Sequence, residues 1–101
     1  MKLIARNSLN LLIFFALASC SQYQKTLNSD DFDAKLEMAN KLYEKGQYAK
    51  AIPLYEELKR VFLGKDKMKT ILFNLSYCEY NTQQFFLAAY HFKQFYESYP
   101  I

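Results

Sequence analysis

Gly46-Gln47-Tyr48-Ala49-Lys50-Ala51-Ile52-Pro53-Leu54-Tyr55-Glu56-Glu57-Leu58 decides the fold, because its pattern returns 37 residues later. In that frame Tyr43 meets Tyr80, Tyr48 meets Phe85, Ala51 meets Ala88, Tyr55 meets Phe92 and Leu58 meets Phe95. Spacings of three and four put these residues on one helical face. A helix pair repeated at such a period marks a helical solenoid.

Four helices follow from the periodicity. The first runs from about Asp31 to Lys45, with Phe32, Leu36, Ala39, Leu42 and Tyr43 in step, acidic residues at its start and Gly46 at its end. A second spans Tyr48 to Leu63 and is closed by Gly64; Pro53 inside it removes one hydrogen bond and adds a slight kink. The third starts near Asp66, read as its N-cap, and reaches Tyr80. The fourth covers Gln84 to Tyr99 and stops at Pro100. No segment alternates with period 2, so the class is all-α.

The residue types resemble the tetratricopeptide repeat (TPR), with its Gly-x-Tyr corner, an Ala three residues on, an aromatic beyond it and a closing Pro. Gly46, Tyr48, Ala51 and Tyr55 carry one copy; Phe85, Ala88, Phe92 and Pro100 carry the other. The Ala positions are where paired helices come too close for a larger side chain, and the aromatics fill the wedge beside them. The resemblance implies two TPR-like helical hairpins, residues 31–65 and 66–101, as the start of an α-solenoid. Departures are a period longer than the usual 34, Gln83 in place of the second corner glycine, and Lys35 where a large apolar residue is usual.

Ahead of the hairpins, Lys2 and Arg6 precede an apolar run from Leu9 to Ala18 broken only by Asn10. That run is too short to span a bilayer and fits the central part of a signal peptide. It ends Leu17-Ala18-Ser19-Cys20, which resembles the lipobox of bacterial lipoproteins. The resemblance implies cleavage before Cys20, a diacylglycerol on its thiol and an N-acyl chain on the freed amine. More than one chain is needed for stable anchoring, a condition this lipid meets. Residues 1–19 are therefore read as the signal peptide and residues 20–30, rich in Ser, Gln, Asn and Thr, as a lipidated tether. Ser21 after the Cys is compatible with sorting to the outer membrane.

Composition narrows the function further. With only Gly46 and Gly64, no Gly-rich phosphate loop exists. Removing Lys2 and Arg6 leaves 11 of the 13 basic residues against 10 acidic ones, which gives no footprint for nucleic acid. His91 is the single histidine and is read as an ordinary, partly buried residue, with no metal site. No nucleophile–base pair can be argued, so no catalytic residue is expected. Cys78 reads as a buried small hydrophobe, Glu56 and Glu57 as a solvated face, and Lys65, Lys67 and Lys69 as a solvated loop.

Lipobox and repeats together resemble the N-terminal part of the BamD family, the lipoprotein subunit of the outer-membrane β-barrel assembly machinery, in its Bacteroidetes-type form. The carrying residues are Leu17 through Cys20, Gln22 through Lys25, Tyr43 through Leu58, Tyr77-Cys78 and Leu87 through Phe92. The resemblance implies a periplasmic solenoid tethered to the outer membrane that binds the BamA-type subunit and unfolded outer-membrane proteins, with no cofactor besides the covalent lipid. In the tetratricopeptide pattern a peptide lies along the first helix of each pair. The candidates here are Asn40, Tyr43, Phe73, Tyr77 and Tyr80. The same aromatics would serve equally to pack one hairpin on the other.

Other readings are a different lipid-anchored repeat adaptor of the envelope, or a fragment related to the nutrient-binding SusD group. The second would need a glycan-binding insertion, and nothing in the sequence supplies it. A last expectation concerns the fourth helix, which is apolar on most sides. Phe85, Ala88, Phe92, Phe95 and Tyr99 make a stripe that the first repeat can cover, while Phe86, Ala89, Tyr90 and Tyr96 extend beyond it. The sequence stops at Pro100-Ile101, where a third repeat would begin, so the chain reads as a truncated member that self-associates or folds marginally.

Overall fold

The computed structural model describes residues 20–100; the signal peptide expected at 1–19 and the last residue, Ile101, lie outside the described residues. The described residues form helices and turns, with no strand. Segment α1 covers 20–27, followed by α2 (Phe32–Glu44), α3 (Tyr48–Val61), α4 (Met68–Asn81) and α5 (Phe85–Ser98). The chain divides into two units at Asp30/Asp31. In the first, the stretch expected as a polar tether is helical from 20 to 27. Gln22, Gln24, Lys25 and Leu27 are good helix formers, and no Gly or Pro interrupts them.

In the second unit, Asp31 is the N-cap of α2, its carboxylate accepting from the Ala34 N–H at 3.0 Å. Asp66 does not cap α4. That position falls to Lys67, which is already in the right-handed helical region and makes no side-chain capping bond. Two tight turns, Lys65 N–H to the Phe62 carbonyl and Met68 N–H to the Lys65 carbonyl, lead the backbone straight into the helix. They leave no extended residue from which a side chain could reach back over the first turn. Pro53 sits inside α3 without ending it. Pro53 and Ala49, whose carbonyl loses its donor to the proline, are both exposed to water.

The two hairpin corners repeat bond for bond. After α2, the Gln47 N–H donates to the Leu42 carbonyl at 2.8 Å and the Gly46 N–H to that of Tyr43 at 3.0 Å. After α4, Gln84 donates to Glu79 at 2.8 Å and Gln83 to Tyr80 at 3.1 Å. This is the Schellman closure, which requires a left-handed residue just past the helix. Gly46 supplies it at φ +74°, whereas Gln83 is forced to φ +66°. A side chain in that region costs roughly 1–2 kcal/mol. Gln83→Gly is therefore expected to raise the unfolding free energy by about 1 kcal/mol in chemical denaturation, and Gly46→Ala to lower it by a similar amount.

Each helix packs on the next: α2 on α3, α3 on α4 and α4 on α5. The middle pair therefore carries most of the core, with Ala51, Leu54, Tyr55, Leu58, Ile71, Leu72, Leu75 and Cys78 fully buried or nearly so. Ala39 and Ala88 are buried as well, as close helix approach demands. On α5 the burial differs from the expected stripe. Ala88 and His91 are its buried residues; Phe92, Phe95 and Tyr99 are half-covered and Phe85 is exposed against Tyr80.

Candidate functional site

Three polar links hold the helices in register. Lys35 of α2, itself buried, places its ammonium 2.8 and 2.9 Å from the two carboxylate oxygens of Glu57 on α3 and 5.5 Å from the Phe32 ring. Glu57 is thus half-buried and paired, not a solvated charge; its neighbour Glu56 is the exposed one. Next, Asn74 of α4 donates to the Tyr55 hydroxyl at 3.1 Å, and that hydroxyl donates to Asn40 Oδ1 on α2 at 2.7 Å. Burial pushes the Tyr55 hydroxyl well up from its ordinary value, partly offset by the Asn74 bond, so it stays protonated as the relay requires.

The third link ties α3, α4 and α5. Glu79, fully buried, meets His91 Nδ1 at 2.7 Å, and Lys59 Nζ lies 3.2 Å from His91 Nε2. An ammonium can only donate, so Nε2 accepts and the ring proton sits on Nδ1, facing Glu79 Oε1. The other oxygen, Oε2, is buried with no hydrogen-bond partner. His91 is therefore a core residue with a specific carboxylate partner, more constrained than the ordinary half-buried histidine expected.

Against this framework lies a row of aromatic rings crossing from α2 to α5. Tyr43, Tyr48 and Tyr77 form a triangle with centroids 5.8–5.9 Å apart, mostly edge to face. Tyr77 stacks on Phe73 at 6.4 Å, and Phe73 meets Phe92 at 5.9 Å and Phe95 at 5.5 Å. Phe95 continues to Tyr99, which has Lys69 at 6.0 Å from its ring. Of the candidate peptide residues, Tyr43, Phe73 and Tyr77 belong to this row. Phe73 is 40% and Tyr77 38% exposed, so packing leaves part of each ring open.

Tyr80, 56% exposed, stands beside Phe85 instead, at 5.6 Å. Asn40 is half-buried and engaged by Tyr55. Tyr48, Phe92, Phe95 and Tyr99 belong to the same row and were not among the sequence candidates. Their signal was their place in the repeat, at the corner and along the second helix of each pair.

Cys20 opens the described segment, free and exposed, and Cys78 is buried. Burial, helped by the neighbouring Glu79 carboxylate, pushes the Cys78 thiol up to about 12, so it stays protonated and unreactive. The lysines of the second turn do not form one patch. Lys67 pairs with Asp33 at 3.3 Å and lies over Phe62, while Lys69 turns to Tyr99. Among the described residues no cluster of His, Cys, Asp and Glu could hold a metal ion. No helix there is long and apolar enough to cross a membrane.

Comparison of the chain with family models, with curated proteins and with solved structures finds no match. The functional reading therefore rests on the residues themselves.

Proposed function

We propose that the protein is a lipid-anchored, non-catalytic scaffold of the β-barrel assembly machinery on the periplasmic face of the outer membrane, binding unfolded outer-membrane proteins and a BamA-type subunit. The observation that carries the reading is the Leu17-Ala18-Ser19-Cys20 motif ahead of two hairpins with the Gly-x-Tyr, Ala and aromatic pattern. The partly open aromatic row supports it, because it offers an extended, apolar chain a series of ring faces and edges. Each aromatic pair contributes roughly 0.5–1.5 kcal/mol beyond the area it buries. The near balance of charge outside the leader fits a peptide partner better than a polyanion.

The test is photocrosslinking in cells. Probes at Tyr77 and Tyr80 are expected to capture outer-membrane protein precursors, with the BamA-type subunit co-purifying. Capture of precursors only from a probe at the exposed Glu56 would move the binding face elsewhere. Envelope partners without any barrel precursor or assembly subunit would favour a different lipid-anchored adaptor.

A further inference from the structure

Helix α5 carries an open face made by Phe86, Ala89, Tyr90, Lys93, Gln94 and Glu97, on which Phe86 is 96% and Tyr90 65% exposed. Tyr90, Lys93, Gln94 and Glu97 stand at positions i, i+3, i+4 and i+7 and line a hollow of about 200 Å³. That four-residue diamond is the hole of knobs-into-holes helix packing. A knob lies on the same helix: Phe86, one turn before Tyr90. A surface bearing both a knob and a hole is complementary to itself under a two-fold axis. We infer that α5 forms the contact of a symmetric, antiparallel dimer, with Phe86 of each copy seated in the Tyr90–Lys93–Gln94–Glu97 hollow of the other.

The charges fit this register. The axis passes beside Ala89 and Tyr90, where the small Ala89 lets the helices approach. Glu97 of one copy then lies beside the N-terminus of the other copy's α5. That end has no acidic residue in its first turn and no side-chain capping bond from Gln84, so a carboxylate there meets the positive pole of the helix. Lys93 comes to the Phe86 ring of the second copy, a cation–π contact. Gln94 lines the same hollow, where its side-chain stem forms part of the seat for the second copy's Phe86. A parallel pairing would instead set knob against knob and like helix poles together. One helix per subunit places the contact at or below the low end of the roughly 1,200–2,000 Å² of stable complexes, so the dimer depends on concentration.

The test uses the full lipid-bearing chain in detergent. Sedimentation should show a concentration-dependent monomer–dimer equilibrium, and a photoreactive phenylalanine at position 86 should give a crosslinked dimer whose link maps to residues 90–97 of the second copy. Phe86→Glu should weaken dimerisation by about tenfold or more while leaving far-UV circular dichroism unchanged, since the side chain it replaces is exposed. Gln94→Ala should weaken it too, by removing part of the hole. A monomer at all concentrations, a dimer indifferent to Phe86→Glu, or links from position 86 only to other proteins would overturn the proposal.

Discussion

Cys20→Ala is expected to abolish the lipid anchor. The substituted chain should fractionate as a soluble or uncleaved precursor, with no acyl mass on intact-protein analysis, while the parent extracts only with detergent. The chemistry leaves no intermediate outcome, because the thiol of Cys20 is the single point at which the diacylglycerol can be joined. Without it the free energy of inserting acyl chains, about 0.8 kcal/mol for each buried CH₂, is lost in full. Exposure of Cys20 at the start of the described segment is compatible with such a role. A mature form beginning elsewhere, or a parent protein whose Cys20 carries no acyl chain, would sink the lipoprotein reading.

The second large effect lies in the core. His91→Ala removes the hydrogen-bond partner of a fully buried carboxylate whose other oxygen already has none. Leaving that buried group with no donor at all costs roughly 1–3 kcal/mol, a sizeable share of the about 5–15 kcal/mol that holds a domain folded. The double replacement Glu79→Leu with His91→Leu should behave oppositely. Counting back 37 residues from Glu79 and His91 gives Leu42 and Leu54. The first hairpin thus fills the same two positions of the frame with leucine, and Leu54 is fully buried there. Urea unfolding is expected to show the double variant within about 1 kcal/mol of the parent, or above it, despite the loss in the single variant. Additive losses in the double variant would mean that the two side chains do not act as a pair.

The 37-residue repeat makes most of the fold legible in the sequence. The four helices of the second unit, both corners and the buried Ala51 and Ala88 all follow from the 37-residue frame. Apolar periodicity and left-handed corner residues are local signals. The polar core was not legible in the same way, because a charge inside a helix is ordinarily read as solvated. Lys35 shares its frame position with the buried Leu72, Glu79 with Leu42, and His91 with the buried Leu54. In the frame, Lys35 and His91 thus fall on interior positions, and Glu79 on that of the half-buried Leu42. The cap of α4 escaped for another reason: the turn before it is set by backbone bonds among Phe62, Lys65 and Met68, to which Asp66 contributes no signal of its own. Of the candidate peptide residues, Tyr43, Phe73 and Tyr77 meet in one row because they face the seam between hairpins, while Tyr80 lies one turn beyond it.

The packing of each helix on its neighbour in sequence has a kinetic consequence. Contacts between adjacent segments close short loops, so little chain entropy is spent before they form. Topologies of this kind have low contact order and fold in microseconds to milliseconds. The contacts of α2 with α3, the Lys35–Glu57 pair among them, are local to the first hairpin. They can begin to form while the later part of the chain is still emerging from a ribosome or a membrane pore, although the buried face of α3 is completed only by α4. The second hairpin then arrives at a template, and the Lys59–His91–Glu79 link closes last, when α5 docks.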